Sequence, residues 1–317
     1  MVLLRRVSTI GGWTLCSRLL GLLRDRLLAG AFGASLQLDA FLLAFALPNL
    51  LRNLFGEGAL SAAFVPRYVQ ARADDVAAAE AFAGLVLTRL LALLGLIAGA
   101  GMVAAAVLAQ QGPADWRLVA LLALPQLPYL IFICLAAIAA GMLNGRRHFA
   151  VPAAAPVLLN LVLITTVLLC PDIACLPWGV LAAGVLQLGI HLLALWRTGG
   201  VPRPAWRASP ALRELRHALL PTLVASSIYQ LNALFDSLIA FALIADGGGA
   251  VTVLYCANRL LLFPMALVAH GVGTAVYPDL AAAANAGYPA STAVLRRSTR
   301  LLLALILPSA AGLFLVA

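Results

Sequence analysis

The 317-residue chain contains no lysine: all 21 of its basic residues are arginine. Charged residues of either sign make up only 10% of it, against 63% hydrophobic residues. A soluble globular domain carries about 25% charged residues, so that class is excluded. Alternation of polar and apolar residues at period two is missing, which excludes a lipid-embedded β-barrel. The four histidines are scattered, and there is no DxxD, HExxH or GxSxG sequence. Chemistry on a lipid phosphate needs clustered carboxylates around a metal, or a nucleophile beside its base. An integral membrane enzyme, the alternative from a different class, therefore lacks its signature, and neither a metal nor an organic cofactor is expected. The five cysteines, Cys16, Cys134, Cys170, Cys175 and Cys256, form no metal-ligand pattern. Cys170 and Cys175 are spaced for a disulfide across Pro171, but reduced, buried thiols are the preferred reading.

What is present is a succession of apolar runs of about 20 residues, each long enough to cross about 30 Å of hydrocarbon as an α-helix. They fall at 8–30, 38–66, 81–109, 117–143, 152–170, 176–196, 216–243, 250–280 and 297–317. The fold class is therefore all-α, a polytopic transmembrane bundle. With the N-terminus on the cytoplasmic side, Arg5, Arg6, Arg67, Arg72, Arg146, Arg147, Arg197, Arg203, Arg207, Arg213, Arg216, Arg296, Arg297 and Arg300 all fall in cytoplasmic segments, and only Arg117 falls outside. That asymmetry follows the positive-inside rule, so these arginines read as topology, with no nucleic-acid partner expected. MVLLRRV is not followed by a cleavage site and a soluble domain, and reads as the approach to the first helix. The last run stops in GLFLVA without a polar tail, as expected for a fragment of a longer protein.

Arg18, Arg24, Arg26, Arg52, Arg89 and Arg259 lie inside the proposed helices. Arg26 and Arg89 are near enough to a helix end to snorkel. The other four are deeper, where an arginine costs about 2.5–3.5 kcal/mol to insert. Helical spacing groups them with other polar residues. Thr14, Arg18, Gly21 and Asp25 form one stripe, with Ser17 and Arg24 beside it. Asn49, Arg52 and Gly56 form another, flanked by Asn53 and Glu57, while Asp39 sits near the start of that helix. Tyr255, Arg259 and His270 share a third face. Such faces point into a bundle or a wet cavity. One reading is internal ion pairing, Arg18 with Asp25 and Arg52 with Glu57. The other is an anion site, because the arginine fork binds two phosphate oxygens at once. A phosphate-bearing amphiphile fits the second. Pro48 removes a backbone hydrogen bond, and with Gly56, Gly58 and Pro264 it marks either a static kink or a hinge.

The Pro- and Arg-rich interval RTGGVPRPAWRASPALRELRH is the best lobe boundary. It divides the chain into a six-helix lobe over 1–198, a cytoplasmic linker over 199–215 and the incomplete start of a second lobe over 216–317. Asp25 precedes Pro66 by nearly the same interval as Asp236 precedes Pro278. Paired, proline-interrupted segments of this kind point to a transporter with a central site.

These stretches carry a family resemblance. SRLLGLLRDRLLAGAFGAS, LDAFLLAFALPNLLRNLFGEGALSAAFVPRY, GMLNGRRHFAVPAAAPVLLN and NRLLLFPMALVAHGVGTAVYP resemble the MurJ (MviN) family of lipid II flippases, within the wider superfamily of multidrug and polysaccharide-lipid exporters. The resemblance implies a two-lobe transporter with a central cavity, truncated here at its C-terminal side. It implies alternating access in the bacterial inner membrane, with lipid II and the bilayer as partners and the protein a monomer. Arg18, Arg24, Arg52 and Arg259 match the family's cavity arginines, which would bind the diphosphate, and Ser17, Asp25, Asp39, Asn49 and Glu57 match or adjoin the polar positions around them. Asp236, with Asn232 one turn earlier, resembles a coupling-cation position in some superfamily members; a hydrogen-bonded aspartate between helices is the other reading. The energy source is then a monovalent cation or the membrane potential. Leu262 and Ala46 stand where some relatives carry glutamate and lysine, and His270 has no family counterpart. A flippase for another polyprenyl-diphosphate glycan, or a multidrug exporter of the same superfamily, is the nearest alternative.

Overall fold

A computed structural model describes the backbone of residues 2–207, 210–244, 248–261 and 288–316, with the side chains of 2–10, 56–59, 229, 288–291, 293, 301, 305, 309, 313, 315 and 316 outside that description. The described residues form α1 (Val2–Phe32), α2 (Leu36–Leu51), a π-helical stretch (Arg52–Gly58), α3 (Ala59–Asp74), α4 (Val76–Gln111), α5 (Ala114–Gln126), α6 (Tyr129–Gly145), α7 (Ala150–Leu169), α8 (Cys175–Arg197) and α9 (Pro210–Leu243). A short apolar helix, α10 (Ala250–Leu261), and α11 (Tyr288–Val316) follow. Helices long and apolar enough to cross a membrane run over Leu36–Asp74, Val76–Gln111, Ala150–Leu169, Cys175–Arg197 and Pro210–Leu243, and the protein is a multi-pass membrane protein. The helix containing Pro48 does not end near Pro66, as the sequence alone suggests, but continues to Asp74.

The run expected over 117–143 is two helices, α5 and α6, meeting at a 41° bend. Pro125 and Pro128 flank the bend, and neither can donate the backbone hydrogen bond that a straight helix needs. α1 is 31 residues long but carries Arg18, Arg24, Asp25 and Arg26 within it. A lone helix of that composition would not be stable in lipid; it lies against α7.

Two larger cores, beside a small one at Ala105, Ala120 and Leu127, hold the first helices together. At the end where α3, α6 and α8 terminate, Phe64, Tyr68, Phe82, Leu94, Ile138 and Met142 pack together. At the opposite end Leu38, Phe41, Tyr129, Leu163, Leu176 and Val180 do so. Lipid tails are as apolar as these side chains, so association rests on close packing and hydrogen bonds rather than on transfer from water. Gly184 shows the closeness: a Cβ there would stand 2.5 Å from Tyr129 Cδ2 and 3.3 Å from Phe132 Cβ. Cys170 and Cys175 are joined by a disulfide, so the preferred reading of reduced thiols is corrected. The five-residue loop already brings the two Cα atoms to 6.3 Å, within bridging range.

The chain forms two compact units, Met1–Val251 and Thr252–Ala317. α9 lies in the first of them and packs on α2 and α3.

Candidate functional site

The buried line of α1 runs through Gly21, Arg24 and Leu28. It is positioned from α7, where Asn160 Nδ2 donates to the Ser17 carbonyl at 2.9 Å and to its hydroxyl at 3.4 Å. Ser17 thus ties two helices of the bundle. Arg24 is 8% exposed. Its Nε and Nη2 both donate to Asp25 Oδ1, at 3.0 and 2.6 Å. Neighbouring residues on a helix do not normally face each other, so the arginine folds back to reach its neighbour. Asp25 is thereby paired with Arg24 and not with Arg18, the pairing expected if the stripe were purely structural. Arg18 is exposed on a different side of α1.

The second cluster sits where α2 changes helix type. Pro48, buried in the last turn of α2, has no N–H to give, and four residues later the backbone widens into the π-helical stretch. A π turn inserts an extra residue into the i→i+4 ladder and frequently marks a functional position. Arg52 opens it, and its Nε and Nη2 donate to Asn49 Oδ1 at 3.2 and 3.0 Å. The guanidinium is thus oriented by the preceding turn. Gly56 and Gly58 lie in the same stretch, so the α-helical face that joins Asn49, Arg52 and Gly56 in the sequence is not continued. The Glu57 side chain lies outside the described residues, as do Pro264 and His270.

Asn53 and Asp39 face α9 and the start of α10. Asn53 Nδ2 donates to Gln230 Oε1 at 3.1 Å. Asp39 is 1% exposed, and its Oδ2 accepts the backbone N–H of Gly249 at 2.6 Å and of Val251 at 3.3 Å. Because α10 begins at Ala250, this carboxylate caps its first turn from another helix, where orphan N–H groups and the positive end of the dipole favour an anion. The close approach requires glycine. Gly249 has φ +102°, and a Cβ there would stand 2.9 Å from the Ala34 carbonyl oxygen. Also on α9, Phe241 meets Trp116 of α5 edge to face at 5.0 Å.

Asp236 and Asn232 are brought together on α9 by a 3.2 Å hydrogen bond, both exposed. Arg259 is exposed on α10, in the second compact unit. Among the described residues, no group of three or more histidine, cysteine or acidic side chains is arranged to hold a metal ion. The sequence gives no sign of the partners Asn160, Gln230 and Gly249, since helical spacing reveals which face a residue occupies but not which helix it meets. Gln187 and His191 are also buried on α8, and Gln187 Nε2 donates to the Ala155 carbonyl at 2.7 Å. Both bind within the bundle.

A family profile described as lipid II flippase MurJ matches residues 28–317. A lipid II flippase MurJ from Burkholderia cenocepacia is 38% identical over 340 aligned residues, which cover 100% of this chain and 64% of that protein. A probable lipid II flippase MurJ from Rhizobium meliloti is 35% identical, covering 100% of this chain and 62% of the relative. The chain thus spans a little under two thirds of the length of these relatives. Among solved structures, a lipid II flippase MurJ in an inward closed conformation superposes with a TM-score of 0.76 at 24% identity, over 97% of this chain and 65% of the other. An inward-facing multidrug resistance transporter of the MATE family superposes with a TM-score of 0.69 at 15% identity, over 93% of this chain and 69% of the other. At these identities the two structures show the fold.

Proposed function

We propose, from the fact that this chain belongs to the lipid II flippase MurJ family, that it forms the N-terminal part of a transporter carrying lipid II from the cytoplasmic to the outer leaflet of the bacterial inner membrane. The observation that carries the reading is the Arg52–Asn49 arrangement at the start of the π-helical stretch, with the Arg24–Asp25 ion pair in the same bundle. An arginine whose fork is already oriented binds a diphosphate without losing further side-chain freedom, and its charge is strongest where water is excluded. Arg18 is exposed, and no carboxylate among the described residues pairs with it.

The N-terminus is cytoplasmic in this reading, which puts the arginine-rich connections inside and the Cys170–Cys175 loop outside. The seam formed by Asp39 with Gly249 and by Trp116 with Phe241 then closes the outer side, and Asn53 with Gln230 closes it at mid-depth. Alternating access requires these contacts to break in turn, with Pro48 and the π-helical stretch absorbing the change. Asp236 and Asn232 supply two ligands of a coupling-cation site, and the membrane potential is the other energy source. The protein acts as a monomer. A flippase for another polyprenyl-diphosphate glycan would use the same arginines with different sugar contacts.

The test is growth of a flippase-depleted strain carrying the full-length protein with Arg52→Ala. Loss of growth at a wild-type level of membrane insertion is expected. Full complementation would remove Arg52 from the mechanism.

A further inference from the structure

The connection between α8 and α9 is tied to the first helices at several independent points. Arg146, the residue after α6, has a side chain only 1% exposed. Its Nη2 pairs with Glu80 Oε2 at 2.9 Å and donates to the Gly200 carbonyl at 3.0 Å. Its Nη1 donates to the Leu195 carbonyl at 3.0 Å and to the Thr198 hydroxyl at 3.2 Å, and its Nε reaches the Tyr68 hydroxyl at 3.2 Å. Glu80 is held in turn by Arg72 at 2.9 Å and by the Tyr68 hydroxyl at 2.8 Å. One guanidinium therefore joins the ends of α3, α4, α6 and α8 to the first turn of the connection. A buried arginine is tolerated only when its donors are met, and these are met by a carboxylate, a hydroxyl pair and two carbonyls. Topology alone does not require that.

Further along, the connection lies on α4. The Arg203 carbonyl presses against Gly84, where any Cβ would collide with it. The Ala205 N–H donates to the Thr88 hydroxyl at 3.1 Å. Arg89 stacks its guanidinium 3.8 Å from the centroid of the Trp206 ring, a cation–π contact. α9 reaches this end as well, with Leu215 3% exposed in the core beside Tyr68 and Met142, and Arg67 Nη2 donating to the Glu214 carbonyl at 3.4 Å.

We propose that Thr198–Trp206 is a strap docked in a site built by α4 and the ends of α6 and α8, clamped by Arg146 at one end and by Thr88 and Arg89 at the other, and that it moves as part of the first six-span lobe. The lobe boundary then lies beyond Trp206 rather than after residue 198. The consequence for rocking of the lobes rests on the transport reading; docking of the strap does not, and hydrogen exchange reads docking without any transport.

The experiment is amide hydrogen exchange at Ala205 in the full-length protein in nanodiscs, with and without added lipid II. The expected result is exchange at least about 10-fold slower than in the free peptide 198–206 under both conditions. Thr88→Val and Trp206→Ala should each return it towards the peptide rate, with α4 amides unchanged. Peptide-like exchange in the unaltered protein, protection in only one of the two conditions, or protection unaffected by both substitutions would each overturn the proposal. Thr88→Val removes a single hydroxyl, so the test stands even if Trp206→Ala fails to insert.

Discussion

The Asp39 carboxylate and the Gly249 amide lie 2.6 Å apart, although 210 residues separate them along the chain. A buried carboxylate survives there because two backbone N–H groups at the start of α10 receive it. Charge-assisted hydrogen bonds contribute about 1.5–3 kcal/mol each. Asp39→Leu is therefore expected to loosen the seam while leaving the α1–α7 packing intact. A cysteine at Ser35, in full-length protein with Cys16, Cys134 and Cys256 replaced by serine, should then react several-fold faster with an impermeant maleimide added from outside. An unchanged rate would show that Asp39 does not hold the seam.

Arg24 and Asp25 lead to a different expectation. Both Nε and Nη2 bind one carboxylate oxygen, a geometry that lysine cannot copy. Arg24→Lys should fail to support growth of a flippase-depleted strain although the charge is kept. Arg24→Ala leaves Asp25 without this partner, and should lower the thermal midpoint of the purified full-length protein more than the double Arg24→Ala/Asp25→Ala change. Equal midpoints for the single and double variants would separate the pair from stability.

The Gly184–Tyr129 contact gives a purely structural test. A methyl at 184 would meet the ring at 2.5 Å, and the ring is 0% exposed, with Phe45 also against it. Overpacking of this kind costs about 1–3 kcal/mol. Gly184→Ala should lower the thermal midpoint measurably, whereas Gly189→Ala, where a Cβ meets nothing within 4 Å, should not. Equal effects would contradict the packing described for α8.

The Cys170–Cys175 disulfide reports orientation. If its loop lies on the oxidising side of the inner membrane, neither thiol should alkylate in intact cells until a reductant is added. Replacing both with serine should leave growth unaffected, because a five-residue loop loses little entropy when closed. Rapid alkylation without reductant would place the loop on the cytoplasmic side and invert the topology.

Much of the bundle was legible from composition alone, since runs of about 20 apolar residues leave few alternatives to spanning helices. Arg24 and Arg52 stood out for the same reason: a charge in such a run needs an explanation. Their partners did not. Asp25 was visible as a neighbour of Arg24, yet helical spacing aligned it with Arg18, because spacing ignores how far a long side chain bends back. The π-helical stretch at Arg52–Gly58 shifted the face drawn through Asn49, Arg52 and Gly56. Asp39 near a helix start could be noticed, but not Gly249. A charge count gives the side of the membrane on which Arg146 lies and nothing of its burial.

The most direct test of the central claim is transport by the full-length protein in proteoliposomes, comparing a polyprenyl-diphosphate-linked glycan with its monophosphate counterpart. The diphosphate lipid is expected to cross at least about 10-fold faster, with the difference abolished by Arg52→Ala, the size of effect that about 1.4 kcal/mol of differential binding produces. Equal rates for the two lipids, or a preference untouched by the substitution, would contradict it.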